Sequence, residues 1–299
     1  QDVFNLMLYG RYSSELISSS ITSHSPYYRE RGLVKNVFDL LDSGERAIVV
    51  HSELGNGKTL LIEGVKLLAT QRGYDVYYVE NRTRELLSEI QTLTESSNKV
   101  LLVFENYFDY YDAIKYFLNN SGKRSAAILS ARTSIHEVTA DDLYGYIKTN
   151  QIPQVNVDKL DHDDIKWIAK LFDQHGLWAE KASYTLKQKI EILNRHPSFS
   201  ATLLGLLRSQ TIIKRFDELL KQLNEQREFY QVVISVLVLS VLNYPTSIDK
   251  LIDIWGDIIQ SPKFKKDPVI SQIIEFERGE VILRSSTLAR YLLKLVVDG

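Results

Sequence analysis

The residues of this chain best suited to chemistry are Gly55-Asn56-Gly57-Lys58-Thr59. They follow an apolar run, Ala47-Ile48-Val49-Val50, and open a stretch of helical period from Lys58 to Thr70. Strand, glycine-rich turn and helix start together make an anion site, because unpaired backbone N–H groups at the helix N-terminus point at the ligand. Gly55 and Gly57 let the backbone fold around phosphate oxygens with no Cβ in the way. Lys58 would set a positive charge against the β- and γ-phosphates, and the Thr59 hydroxyl is the expected magnesium ligand. The window departs from GxxxxGK[ST] at its first position, where Ser52 stands in place of glycine. A glycine-rich turn with a chance Lys-Thr pair is the plain alternative. The strand before and the amphipathic helix after favour the phosphate site.

A second chemical group lies at the end of another apolar run, Val100-Leu101-Leu102-Val103-Phe104-Glu105-Asn106. A carboxylate there can hold the magnesium water shell or polarise an attacking water. Two acids are usual; this chain offers Glu105 and then Asn106. If Glu105 takes the metal, the catalytic acid is missing and hydrolysis is expected to be slow. A third candidate is Ser130-Ala131-Arg132, ending the run Ile128-Leu129. A serine or arginine here can reach a γ-phosphate and report its presence, although a solvated Arg132 is an equally plain reading. Glu105 and Arg132 are the candidate catalytic residues, and Thr59 and Glu105 the candidate magnesium ligands.

The elements that must position these groups follow from the hydrophobic pattern. Near-continuous apolar runs at 46–51, 75–80, 99–105, 125–130 and 153–157 alternate with helical patterns at 34–41, 58–70, 84–93 and 109–118. Such runs predict an α/β fold, a parallel sheet covered by helices on both faces. Upstream, a short amphipathic stretch at 4–12 leads to the serine-rich run 18–26, which reads as a linker or turn. Beyond Asp158 the strands stop. Asp161 to Asp164 suggests an N-cap and acidic first turn for a helix over 165–172. Helices are expected at 183–193, 197–207, 212–223, 230–242, 247–259 and 287–296, with a small hairpin at 270–275 and 281–284 around Arg278-Gly279. Helices with a late hairpin resemble a winged helix. The predicted organisation is a lead-in at 1–33, a P-loop nucleotide-binding domain at 34–157, a helical lid at 158–226 and a winged helix at 227–299.

Bulk composition removes several classes of function. The net charge of −2 supplies no global field for nucleic acid or anionic lipid. Without cysteine there are no disulfides, thiolate zinc sites or cysteine nucleophiles, which suits a reducing cytoplasm. The six histidines form no HExxH pattern. The longest apolar run, 232–242, is too short to span a bilayer. The start, Gln1-Asp2-Val3-Phe4, has neither an initiator Met nor a signal-peptide pattern, so the chain is expected to be a piece of something larger.

In this order the elements resemble the signal-transduction ATPases with numerous domains (STAND), relatives of the AAA+ ATPases. Besides the loop, Pro26-Tyr27-Tyr28-Arg29-Glu30-Arg31 resembles the family's aromatic-Arg-Glu segment near the adenine, and Ser130-Ala131-Arg132 its sensor position. Val157-Asp158-Lys159-Leu160-Asp161 resembles the passage into its helical domain. Asn194-Arg195-His196-Pro197 resembles a helical-domain motif whose proline approaches the nucleotide. The departures are Ser52, Glu105-Asn106 in place of two acids, and His196 before the proline. The resemblance implies nucleotide binding by Arg29, Gly55, Asn56, Gly57, Lys58, Thr59, Leu60 and Pro197. It also implies ATP or ADP with Mg2+ as cofactors, a closed ADP state, and oligomerisation on exchange for ATP.

Two functions remain open at this point. One is a switch that assembles and activates an effector, as in bacterial defence, with effector and sensor domains in the same full-length chain. The other is an initiator- or loader-type ATPase that acts on DNA through the winged helix. The candidate recognition helix 247–257 carries three aspartates against one lysine, which argues against DNA, although Lys263, Lys265 and Lys266 could touch phosphates. GTP is disfavoured because Asn98-Lys99-Val100-Leu101 lacks the aspartate of a guanine-reading motif and precedes its strand. A metabolic kinase would need an acceptor-substrate site, and no residues suggest one.

Overall fold

The computed structural model describes residues 2–9, 12–23, 25–53, 55–79, 83–96, 98–149, 151–195, 198–201, 210–242, 244, 246–277, 279–283, 289 and 291–294. The chain divides into two compact units, Ser14–Asp164, and Gln1–Ser13 together with Ile165–Gly299.

The first unit is built on five parallel strands, β1 (Ala47–Ser52), β2 (Tyr74–Val79), β3 (Lys99–Glu105), β4 (Ala126–Arg132) and β5 (Gln154–Asn156), in the order β2-β3-β4-β1-β5. β1 is buried along its whole length, as expected of a central parallel strand covered on both faces. Alternate residues feed two cores. Ile48, Val50, Leu101, Val103 and Ile128 pack with α3 (Gly32–Asp42) and α4 (Lys58–Gln71). Val49, Leu102, Phe104 and Leu129 pack with α5 (Leu86–Thr94), α6 (Tyr111–Asn120) and α7 (Thr133–Ile147). This is the α/β fold, a parallel sheet covered by helices on both faces, anticipated from the apolar runs.

Two elements of this unit differ from expectation. The serine-rich run, whose composition predicts a linker or turn, lies largely in the helix α2 (Ser14–Ser23). Its hydroxyls bond back to carbonyls of the preceding turn, Ser20 Oγ to Leu16 O at 2.7 Å and Ser23 Oγ to Ser19 O at 2.6 Å. Ile17 is fully buried, so one anchoring side chain outweighs the poor helix propensity of the serines. α7 had no sequence signal at all. It buries only His136 and Leu143, too sparse a pattern for a period to be read.

The second unit is helical with a small hairpin. It holds α1 (Asp2–Tyr9), the greater part of α8 (His162–Gln174), α9 (Leu186–Asn194) and the helices Gln210–Glu225, Arg227–Val241 and Ile248–Trp255. The expected N-cap of α8 is present, with Asp161 Oδ1 accepting from Asp164 N at 2.6 Å. The helix expected at 197–207 lies almost wholly outside the described residues. Strand β6 (Ile274–Glu277) pairs antiparallel with β7 (Glu280–Leu283), and Gly279 (φ 84°) takes the left-handed turn position between them. The segment expected as strand from 270 begins instead as a helical turn, Ile270–Ile273, whose Ile270 and Ile273 face the core. Ser247 bridges Glu280, and Thr246 exchanges backbone and hydroxyl bonds with Val281, which ties the hairpin to the start of the helix Ile248–Trp255. The core of this region is aliphatic, centred on Val232, Val233, Val236, Leu237 and Phe264.

Candidate functional site

The loop between β1 and α4 turns on two glycines with left-handed backbones, Gly55 (φ 87°) and Gly57 (φ 86°). L side chains rarely adopt such values. A Cβ placed on Gly57 would meet nothing within 4 Å, so backbone conformation fixes this residue and the space beside it is open. α4 then starts at Lys58, which leaves its first N–H groups without helical partners at the loop.

Strand register gathers the other candidates at the same rim. Glu105 at the end of β3 lies opposite Ser130 of β4, and Arg132 of β4 lies opposite Ser52 of β1. Carboxyl ends of parallel strands are where open α/β sheets bind ligands. Lys58 reaches across this rim. Its Nζ donates to Ser130 Oγ at 2.8 Å and pairs with Glu105 Oε1 at 3.5 Å. Burial pulls the Lys58 ammonium below its ordinary pKa; Glu105 opposes that shift and the Arg132 charge adds to it. The lysine is therefore a desolvated cation whose carboxylate partner is half-exposed and 3.5 Å away, and a closer, multiply charged anion would pair it more fully.

Thr59 is exposed in the first turn of α4, and Leu60 is half-buried beside it. Among the described residues no group of three or more His, Asp or Glu side chains is arranged to hold a metal unaided. The donor set nonetheless suits magnesium, which keeps most of its waters and takes one or two protein oxygens along with phosphate oxygens. A hydroxyl at Thr59 and a carboxylate at Glu105 are oxygen ligands of that kind.

The remaining candidates are disposed as follows. Asn56 is buried, with Nδ2 donating to Asp158 Oδ1 at 2.6 Å, so its amide is committed within the protein. Arg29 pairs with Asp163 at 3.4 Å and Asp164 at 3.9 Å. Neighbouring Arg31 binds Asp164 Oδ2 at 2.9 Å and the carbonyls of Val157 and Lys159. These arginines fasten the segment before α3 to the chain leaving β5. Pro197 lies outside the described residues.

Ser130, which the sequence offers as a group able to reach a γ-phosphate, touches Lys58. Further contacts that the motifs do not predict complete the rim. Asp158 accepts from Glu53 N at 2.7 Å as well as from Asn56, and its other oxygen accepts from Thr133 Oγ1 at 3.1 Å. Thr133 Oγ1 is in turn 3.0 Å from His51 Nδ1. With the Thr133 proton given to Asp158, His51 must carry its proton on Nδ1 and donate it. The buried His51 ring lies 4.8 Å from that of His136, and burial lowers the pKa of both, so both are neutral at pH 7. A long sequence separation hides these contacts: Asn56 and Asp158 are 102 residues apart.

No protein-family model matches the chain, and no curated protein matches it. Among solved structures it is similar to Cdc6p from Pyrobaculum aerophilum, at 14% identity and a TM-score of 0.41, over 92% of this chain and 97% of that one. It is also similar to the Aeropyrum pernix ORC2 protein in ADPNP-ADP complexes, at 11% identity and a TM-score of 0.34, over 89% and 91% of the two chains. A third is the replication initiator DnaA bound to AMPPCP and single-stranded DNA, at 17% identity and a TM-score of 0.40, over 67% and 66%. Likeness at this level assigns the chain to no family.

Proposed function

We propose that this chain binds ATP and ADP at the loop Gly55–Thr59 and works as a slowly hydrolysing switch of the STAND kind that controls assembly of an effector. The observation that carries the reading is the desolvated Lys58 ammonium, placed beside two left-handed glycines at a helix start and met by Ser130 and Glu105 from adjacent strand ends. Backbone N–H groups of Gly55, Asn56 and Gly57 would take phosphate oxygens, and Lys58 would leave Glu105 for the β- and γ-phosphates. Thr59 and Glu105 would hold magnesium, which would supply charge neutralisation at those oxygens. Ser130 and Arg132 would sense a γ-phosphate, and Arg29 and Pro197 would serve the base side.

Slow turnover follows from the acid count. Glu105 is the carboxylate at the end of β3, and the next residue, Asn106, is an amide in a left-handed turn conformation (φ 51°) that cannot act as a base. An enzyme lacking a base loses about 10²–10⁴ in rate. In the proposed organisation a helical lid at 158–226 and a winged helix at 227–299 belong to the switch, with self-association as its output. Purified chain should retain ADP and turn ATP over well below the usual range of about 1–10³ s⁻¹. ATP, but not ADP, should raise its mass in light scattering. Brisk multiple turnover without any change of mass would contradict the switch.

A further inference from the structure

The phosphate loop has a conformational problem. It contains two glycines, and Ser52 stands where a further glycine is usual, so little in its own sequence fixes one shape. We propose that Asp158, two residues beyond β5, is the positioning residue that holds this loop ready for phosphates. This rests on the reading of the loop as a nucleotide site and adds a residue to it.

Three donors converge on the one carboxylate. Oδ1 accepts from the backbone N–H of Glu53 at 2.7 Å and from Asn56 Nδ2 at 2.6 Å, gripping the loop on either side of residue 54. Oδ2 accepts from Thr133 Oγ1 at 3.1 Å, which anchors the carboxylate to the start of α7. The backbone of Asp158 is held as well, its N–H donating to Asn156 Oδ1 at 2.8 Å, while the Val157 N–H reaches His51 O of β1 at 2.9 Å. The acid is thus fixed from behind and grips the loop in front.

Charge argues against a direct role in binding. A negative group beside a phosphate site repels the ligand, so Asp158 serves through the geometry it imposes. Neighbouring oxygens are oriented for this: with its Nδ1–H given to Thr133, His51 leaves the Thr133 hydroxyl proton for the carboxylate. An asparagine could replace the acid with small loss. Its carbonyl would keep both loop donors, and its amide would donate to Thr133 Oγ1 once the hydroxyl proton turned to a re-tautomerised His51. Alanine offers no such substitute, and it leaves Glu53 N and Asn56 Nδ2 without this acceptor.

The test compares Asp158→Ala, Asp158→Asn and Asn56→Ala in the full chain, with ATP and ADP affinities from calorimetry and amide exchange of the peptide spanning residues 51–59 without nucleotide. Asp158→Ala should weaken both nucleotides about tenfold to a hundredfold, the scale of a lost charge-assisted hydrogen bond pair. It should also speed exchange in the loop. Asp158→Asn should bind as well as wild type or better, since it keeps the acceptor and removes the charge. Asn56→Ala should weaken binding, and combined with Asp158→Ala it should add little, because the two act through one contact. A general loss of stability would not be rescued by asparagine in this way. If wild type binds and Asp158→Ala binds equally well with unchanged exchange, the Asp158 assignment is overturned while the nucleotide site stands. If wild type binds no nucleotide, the reading of the loop fails and the assignment falls with it.

Discussion

Gly64 occupies the middle of α4, where alanine is ordinarily the better helix former by about 0.5–1 kcal/mol. The reason for glycine is Tyr28. A Cβ at position 64 would stand 2.0 Å from the Tyr28 hydroxyl and 2.9 Å from its ring carbon, so the phenol lies directly against the helix backbone. That hydroxyl is buried without a hydrogen-bond partner, and burial raises its pKa well above the ordinary tyrosine value. The contact is therefore a matter of shape, and its polar atom contributes nothing favourable. Gly64→Ala should lower the melting temperature, because overpacking costs about 1–3 kcal/mol against the smaller gain in helix propensity. Tyr28→Phe should leave it unchanged or raise it. A stabilised Gly64→Ala or a sharply destabilised Tyr28→Phe would show that Tyr28 lies elsewhere. Both measurements are thermal melts and need no ligand.

At the scale of elements, legibility tracked how much of the signal was local. The central strands were readable because a strand buried on both faces must be apolar through its middle, as β1, β3 and β4 are before their polar carboxyl ends. The loop was readable because its chemistry needs residues adjacent in sequence. α2 was misread because a buried Ile17 and back-bonded hydroxyls override a composition that favours turns. Asp158 was invisible as a loop partner because the contact depends on β5 lying beside β1, a property of the sheet order. Sequence placed the second hairpin strand to within a residue but set the first too early, at 270–275, where a helical turn over 270–273 precedes the strand Ile274–Glu277. The helix Ile248–Trp255 bears on what this region presents. Its exposed positions are Asp249, Lys250, Asp253 and Ile254, an acidic and apolar surface ill suited to a phosphate backbone. Lys263, Lys265 and Lys266 are exposed nearby in sequence, and Lys265 already lies over the Phe276 ring at 5.4 Å. We therefore expect weak binding to duplex and single-stranded DNA that disappears as salt rises, with or without nucleotide. Submicromolar binding near physiological salt, with a steep log–log salt slope that falls when the three lysines are removed, would favour the initiator-type function.

For the whole molecule, the chain forms two compact units with separate aliphatic cores, and the phosphate loop with all its described partners belongs to the unit Ser14–Asp164. No helix among the described residues is long and apolar enough to cross a membrane. The central claim is that Lys58 meets nucleotide phosphates, and Lys58→Ala tests it most directly. Burying an ammonium is costly, as the lowered Lys58 pKa shows, so its removal should not unfold the unit. Circular dichroism and melting temperature should match wild type. Calorimetry should then show ATP and ADP affinity reduced about a hundredfold or more, the loss of a desolvated cation with more than one charge-assisted contact. A folded Lys58→Ala chain that binds ATP with wild-type affinity would contradict the assignment of this loop as the nucleotide site.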